Sequence, residues 1–510
     1  MTAAPPARPS VSAVAWTRLA LAAAVACSPA WAQESRLRVT TGAELSQSVV
    51  DVAGRLNGTN GTESVTRVSP SLRVVSRGGR VQGSLGYSLS GIYRAGREES
   101  SGREFQNTLD ANVLGEIVPG WGFIEGRGSI SQQTLSAFGR PAGDGSAFNR
   151  NRSEVSSLTL SPFARGELGG LARYEARVTG SMTDTRDPAA ADSKYAVASL
   201  TLGSARPGRL GWDLSASTQR VSFSSASRPI DTDRALASLT YRPDFDLALT
   251  VSGGAERTDF GGPFKREFSN YGLSLRWVPS PRTLVQLGAD ERYFGRSYRV
   301  VLSHRTPRTL WTYSDVRDVN DSGGVLGVGQ PVTLYQLLFQ QLASQEPDPA
   351  LRDLLVQQRL RELGRSADER LYVASVFSSQ VIQHRQDFAA VWTAPRTTVS
   401  VQASRSESRQ VADSAAIFAV VTPDVEQTAY GVTVSHKLTP TASVSADASR
   451  QNARGSGTQP STNTKSAGIS LTNRFGQRTS GGLRAGYRVF NSPTDPSRET
   501  SLSASLSLQF

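Results

Sequence analysis

The chain has 510 residues, of which 38% are apolar and 20% are charged, and its formal net charge is +12. The apolar fraction lies below the roughly 45–50% that is usual for soluble globular proteins, so a large water-soluble core is disfavoured. Apolar and aromatic residues are nevertheless spread along the whole chain, which argues against disorder, and no apolar run after the N-terminal segment is long enough for a membrane helix.

The N-terminal segment has the features of a secretory signal peptide. An apolar run extends from Leu19 to Ala26, and residues 30–32 (Ala-Trp-Ala) have the small-x-small pattern of a cleavage site. We therefore predict that residues 1–32 are removed and that the mature chain begins near Gln33. Cys27 is the only cysteine. The lipoprotein box before it is poor, which disfavours lipidation, and whether Cys27 is lipidated stays open.

From residue 33 onward one pattern recurs: about ten residues of alternating apolar and polar side chains, followed by a turn or loop. The last repeat is the clearest, because Leu502, Leu506 and Phe510 share one face while serines occupy the other. Soluble sandwiches also alternate, but here the polar face is small, serine-rich and studded with arginine and glutamate. The pattern predicts an all-β fold, a transmembrane antiparallel outer-membrane β-barrel over residues 33–510.

Short connectors alternate with long polar ones, which indicates the direction of the strands. Short connectors such as 118–121 and 394–396 contain Pro or Gly, whereas long ones such as 138–152 and 451–463 are polar. In outer-membrane barrels the short turns face the periplasm and the long loops face outward. Counting back from the last strand predicts about 22 strands, in a range of roughly 20–24, with both chain ends on the periplasmic side.

One connector is much longer and has a helical pattern. Asp348-Pro349 resembles a helix start, Gly364 resembles a helix end, and leucines recur between them at helical spacing. We predict one α-helical insert at 320–372, either on the external side or folded into the lumen. It would act as a cap over strand ends or, alternatively, as a gate or plug. The candidate gate residues are Leu334, Leu337, Leu338, Leu351, Leu354 and Leu355.

The face opposite the apolar one carries the main functional signal. Mixed-sign charges on alternating positions line aqueous pores and select solutes by size and field. The alternative is that such charges only form salt-bridged ladders between strands. The pore-lining candidates are Arg173, Glu175, Arg177, Asp213, Asp246, Arg276, Asp290, Arg292, Arg299, Asp447, Arg484 and Arg488.

Dispersed charge and scarce histidine disfavour other functions. Only four of the 56 basic residues are lysine, and the arginines are scattered along an exported chain, so we predict no nucleic-acid partner. His304, His384 and His436 lie far apart, which predicts neither a histidine metal site nor a hydrolase triad. We therefore expect no enzyme activity, no cofactor and no metal.

Short motifs within residues 285–311 carry a family resemblance. The segments Leu287–Gly295, Tyr298–Arg305 and Pro307–Trp311, together with Thr333–Phe339 in the insert, resemble the PEP-CTERM system-associated outer membrane proteins. Members are barrels that accompany exopolysaccharide and exosortase gene clusters. The resemblance covers most of the mature chain and implies a role in exopolysaccharide export or envelope biogenesis, but it transfers no catalytic residues.

Two kinds of function are compatible with these predictions. One is a channel, narrowed by the insert, that conducts exopolysaccharide or, as a general porin, small solutes; the other is a non-conducting structural or docking barrel of the envelope. A siderophore-type receptor is disfavoured, because strands begin close to Gln33 and leave no room for a plug domain. Expected partners are outer-membrane lipid and lipopolysaccharide, the barrel assembly machinery with Phe510 as its signal, exopolysaccharide and periplasmic export components. The expected location is the outer membrane of a Gram-negative bacterium.

Overall fold

The computed structural model describes most of the chain from Leu37 to Phe510. The described ranges are 37–55, 60–97, 101–140, 149–188, 190–206, 208–260, 264–320, 381–410, 424–456 and 461–510, with seven single residues between 335 and 356. The predicted signal peptide, with Cys27, lies outside the described residues. No helix within these ranges is long and apolar enough to cross a bilayer.

The described chain forms one sheet of 22 antiparallel strands, which confirms the predicted all-β class and strand number. The strands are β1 (Leu37–Ala53), β2 (Gly61–Gly78), β3 (Val81–Ala95), β4 (Gly102–Val118), β5 (Gly122–Thr134), β6 (Arg152–Leu168), β7 (Ala172–Thr185), β8 (Ser193–Ser204), β9 (Leu210–Phe223), β10 (Ile230–Asp244), β11 (Leu247–Thr258), β12 (Arg266–Ser280), β13 (Thr283–Arg292), β14 (Gly295–Arg305), β15 (Thr309–Asn320), β16 (Val381–Thr393), β17 (Thr397–Gln410), β18 (Val425–Lys437), β19 (Ala442–Gly455), β20 (Thr462–Arg474), β21 (Thr479–Asn491) and β22 (Ser497–Gln509).

The sheet is closed, because its first strand pairs with its last. β1 pairs with β2 on one side and with β22 on the other, where Gly42 lies opposite Gln509 and Ala53 opposite Arg498. All other pairs join strands that follow each other in sequence, as in an up-and-down barrel. Closure satisfies the backbone groups of both edge strands, which a sheet surrounded by lipid requires.

Connections at one end of the barrel are tight turns, and those at the other are mostly longer loops. Gly79 joins β2 to β3 with φ at 75°, and Gly120 joins β4 to β5 with φ at 71°. Side chains disfavour this left-handed conformation, so glycine suits both turns. The loop end includes the connection 135–151, although β13 and β14 are joined there by Tyr293 and Phe294 alone.

The two faces of the barrel differ in composition. One face carries large apolar side chains that stay exposed all round the ring, such as Leu273 at 60%, Val251 at 59% and Leu502 at 62%. The other face is rich in serine and threonine. The apolar face is therefore the outer, lipid-facing surface, and the hydroxyl-rich face is the inner wall. Outward tryptophans near the short turns and tyrosines farther along match the aromatic girdles of such barrels: Trp277, Trp311, Trp392, Tyr271, Tyr430 and Tyr487.

The predicted helical insert is not an element of the described structure. β15 extends to Asn320, so the predicted start at residue 320 is wrong, and no helix is delimited among the described residues. Seven single residues of the β15–β16 connection (residues 321–380) have helical backbone: Tyr335, Leu338, Phe339, Leu342, Arg352, Leu355 and Val356. The rest of the connection lies outside the described residues, and its helical character stays a prediction.

Candidate lumen site

The strand register places eleven of the twelve pore-lining candidates on the hydroxyl-rich inner wall. For example, Arg173 of β7 pairs with Gly203 of β8, and Gly203 pairs with Asp213 of β9. Asp213 also pairs with Ser238 of β10, so these four residues lie on one face of the wall. The twelfth candidate, Asp246, lies in the turn between β10 and β11 rather than on a strand. That these side chains line an open pore stays a prediction.

Some of these charges pair across an intervening strand at a glycine. Arg484 of β21 lies 3.0 Å from Asp447 of β19, and a Cβ added to Gly468 of β20 would lie 2.7 Å from the Arg484 side chain and 3.2 Å from that of Asp447. The Arg173–Asp213 pair, 3.6 Å apart, crosses β8 at a glycine in the same way. Glycine lets both side chains lie flat against the wall, where their charges neutralise each other.

Another group of charges is buried within the inner wall. Glu256 has 0% exposure and accepts a hydrogen bond of 2.6 Å from Arg292, which also pairs with Asp318 at 2.8 Å. A carboxylate without water depends on such partners. Sequence reasoning selected Arg292 and missed its two carboxylates, although alternation along β11 and β15 assigns both to the same face.

Eight of the twelve candidates therefore form ion pairs, as the ladder alternative expects. They are Arg173, Glu175, Arg177, Asp213, Arg292, Asp447, Arg484 and Arg488. Within the described ranges, the other four have no ion-pair partner: Asp246, Arg276, Asp290 and Arg299. The wall thus combines neutralised ladders with a few charges that remain available to a solute.

A cavity of about 550 Å³ lies against the inner wall of β12–β17. Arg276 and Arg305 line it from the barrel, and Phe339 and Arg352 line it from the β15–β16 connection. The described part of this connection therefore lies beside the inner wall.

The burial of neighbouring wall residues agrees with this placement. Leu310, Ala389 and Val391 face inward by register, yet their exposures are 1%, 5% and 1%. Side chains on the bare wall of a wide lumen would remain accessible to water. The inner wall of β15 and β16 is therefore covered near the short-turn end.

The β15–β16 connection also has a small core of its own. Leu338 is 1% exposed and packs against Val356, which is fully buried, whereas Leu355 is 38% exposed. The gating role stays a prediction for all six candidate residues. Four of them lie outside the described residues: Leu334, Leu337, Leu351 and Leu354.

Buried charged groups gather at the external mouth. The loop between β5 and β6 brings Arg140 into the electrostatic field of Glu499, Arg55, Arg97 and Asp495, and burial lowers the pKa of the Arg140 guanidinium. Arg55 Nε lies 3.2 Å from Asp495 Oδ1, which joins the first external loop to the last. The mouth is thus tied together where the barrel closes.

A polar network that sequence reasoning missed lies on the outer face. His384 Nε2 lies 3.0 Å from the Tyr298 hydroxyl and 2.9 Å from Asp315 Oδ1, and Gln386 donates to Asp315 Oδ2 at 2.9 Å. Residues 312–317 are polar except Val316, so their pattern does not reveal that Asp315 and Arg317 are on the side that faces lipid. Among the described residues, no group of three or more His, Cys, Asp or Glu side chains is placed to hold a metal ion.

The sequence matches no protein-family model and no curated protein. Among solved structures, it is similar to the siderophore receptor PirA of Pseudomonas aeruginosa (9% identity, 92% of this chain and 80% of that chain, TM-score 0.43). It is also similar to the ferric enterobactin receptor PfeA of Pseudomonas aeruginosa in complex with enterobactin (10% identity, 92% and 81%, TM-score 0.46). A third similarity is to OccAB3 of Acinetobacter baumannii (8% identity, 92% and 99%, TM-score 0.37).

The cellular location follows from the geometry of this chain. A closed ring of 22 strands with an apolar outer face, aromatic girdles and a hydroxyl-rich interior suits a bilayer reached by export. The chain is a multi-pass β-barrel of the outer membrane of a Gram-negative bacterium.

Proposed function

We propose that the barrel conducts a hydrophilic solute across the outer membrane and that the β15–β16 connection narrows the passage. The observation that carries this proposal is the cavity of about 550 Å³ that Phe339 and Arg352 share with the inner wall. A segment held against the wall inside a barrel of this size reduces the open cross-section. Two described residues of this connection, Leu338 and Val356, are buried and pack together.

The solute in this proposal is an exopolysaccharide. The resemblance to PEP-CTERM system-associated outer membrane proteins supports this choice, and so does the inner wall, whose serine and threonine hydroxyls suit a hydrated sugar chain. The proposal includes no catalytic step and no cofactor. Its partners are the periplasmic components that deliver the polymer, the assembly machinery that inserts the barrel, and the lipopolysaccharide around it.

Single-channel recording in planar bilayers tests the passage. The full chain is compared with a variant in which Gly324–Ser366 is replaced by a short Gly-Ser linker. We expect both proteins to show the heat-modifiable gel migration of a folded barrel, and we expect a larger conductance from the variant. Equal conductance would refute the narrowing role.

A non-conducting structural barrel is the second candidate, and one observation favours it. On the inner wall near the external mouth, Val50 and Val52 are 0% exposed, and Val65 and Ile92 are 2% exposed. Apolar residues that are closed to water suit a filled lumen rather than a wet channel. If both proteins are folded but electrically silent, this candidate replaces the first.

A further inference from the structure

We propose that the cavity between the inner wall of β12–β17 and the β15–β16 connection binds an anionic, carboxylate-bearing sugar unit. This inference rests on the proposed passage for a polysaccharide and specifies the chemical class of that polymer.

Charge among the described lining residues is strongly unbalanced. Four of them are basic, namely Arg276, Arg282, Arg305 and Arg352, and one is acidic, namely Asp387. Asp387 is already neutralised, because the nearly buried Arg385, which lies outside the lining, holds it at 2.6 and 3.0 Å. The field that the described lining residues produce is therefore positive and favours an anion.

Two of these arginines keep donors available for a ligand. Arg276 has no ion-pair partner among the described residues. Arg305 donates to the carbonyl oxygen of Pro281 at 3.1 Å and has no ion-pair partner among the described residues, so its remaining N–H groups keep a free charge. A guanidinium has five N–H donors in a planar fork that fits a carboxylate with two parallel hydrogen bonds. These donors suit a carboxylate better than a neutral hydroxyl.

Apolar surface beside the arginines favours a sugar over a simple anion. Phe339, Leu284 and Val301 line the cavity, and contacts with Arg352 and Tyr335 hold the Phe339 ring in place. A sugar ring has C–H-rich faces for such a surface and polar groups at its rim, whereas an inorganic anion has no apolar face. The volume of about 550 Å³ also falls within the roughly 300–1,000 Å³ of small-molecule sites.

Calorimetric titration of the full-length protein in detergent tests the site. The probes are trigalacturonate and the neutral trisaccharide maltotriose. We expect trigalacturonate to bind and maltotriose to bind much more weakly. Arg276→Gln and Arg305→Gln are each expected to weaken trigalacturonate binding by about tenfold, since each removes a charge-assisted hydrogen-bond donor.

Arg299→Gln is the matched control. Arg299 lies on the same strand and inner face as Arg305 and also lacks an ion pair among the described residues, but it does not line the cavity. We expect trigalacturonate affinity in this variant to stay near that of the wild type. Folding of every variant is checked by heat-modifiable migration, and Arg276→Lys and Arg305→Lys replace any glutamine variant that fails to fold. The lysine variants keep the charge and lose the fork, so they should weaken binding less.

The outcomes separate this proposal from the passage itself. Equal affinity for the two sugars, no loss in either cavity variant, or an equal loss in Arg299→Gln overturns the anionic site. Arginine-dependent binding by a protein that is silent in bilayers supports the site and refutes the passage. Conductance without selective binding supports the passage and refutes the site.

Discussion

Gly253 and Gly254 are neighbours on β11 that point to opposite sides of the wall, so they offer a matched test of how closely β10 and β11 approach. A Cβ added to Gly254 would lie 1.9 Å from the carbonyl oxygen of Ala235 and 2.9 Å from Cα of Leu236. A Cβ added to Gly253 would have no heavy atom within 4 Å. Alanine at 254 therefore requires the two backbones to separate by roughly 1 Å, whereas alanine at 253 requires no movement.

The free energy of unfolding should respond in opposite directions. Overpacking costs about 1–3 kcal/mol when side chains can adjust. The obstacle at Gly254 is backbone, so we expect Gly254→Ala to lower the unfolding free energy by about 3 kcal/mol or more. Gly253→Ala should raise it by roughly 0.5 kcal/mol, because glycine within a strand has an entropic cost. The expected difference between the neighbours is about 3–4 kcal/mol.

Guanidinium titration of both variants in lipid vesicles, followed by tryptophan fluorescence, measures this difference. Heat-modifiable migration shows whether each variant starts from a folded barrel. If Gly254→Ala fails to fold while Gly253→Ala folds normally, the close approach is supported. If the two variants differ by less than about 1 kcal/mol, the close approach of β10 to β11 at Gly254 is refuted.

Three further predictions concern the wall, the terminus and the orientation. Glu256→Gln should lower the unfolding free energy by about 2 kcal/mol, since it leaves the largely buried Arg292 with a single carboxylate. Asp213→Asn, in a more exposed pair, should lower it by less than about 1 kcal/mol. Equal losses in denaturant titrations would contradict the burial argument. Deletion of Phe510, whose amide donates to a β1 carbonyl at 2.8 Å, should reduce the heat-modifiable outer-membrane fraction, and an unchanged fraction would contradict the assembly role. An impermeant maleimide on whole cells should label a cysteine at Ser456 and spare one at Gly208, and the reverse pattern would invert the topology.

Strand number was predictable from the sequence, because a side-chain period of two is a local property of each strand. Ion pairs such as Arg484–Asp447 were not predictable from the sequence. They join two strands that have another strand between them, and they depend on the register that the turns set. The alternation of apolar and polar residues also failed to distinguish the two faces of a strand where both faces carry apolar residues. Val49 and Val50 are both apolar, yet Val49 is 46% exposed to lipid and Val50 is fully buried inside.

The covered inner wall was not predictable for a different reason. Leu310 and Val391 break the rule that apolar residues face lipid, and their burial depends on what lies beside them inside the barrel. The β15–β16 connection that supplies Phe339 and Arg352 is far from the wall residues of β12 in sequence. Apolar residues that recur with a period of two or 3.6 predict a single strand or helix, whereas a cavity is lined by residues from several strands and loops.

The pairing of β1 with β22 has a consequence for the order of events during assembly. β1 is made first, but one of its two hydrogen-bonding edges has to wait for a partner that leaves the ribosome more than 400 residues later. An unpaired strand of 17 residues is a template for pairing with other chains. This edge of β1 can be satisfied within the barrel only when β22 has been made and has reached it. Ring closure should therefore be the last step of assembly, and variants that weaken only the β1–β22 seam should accumulate as open sheets.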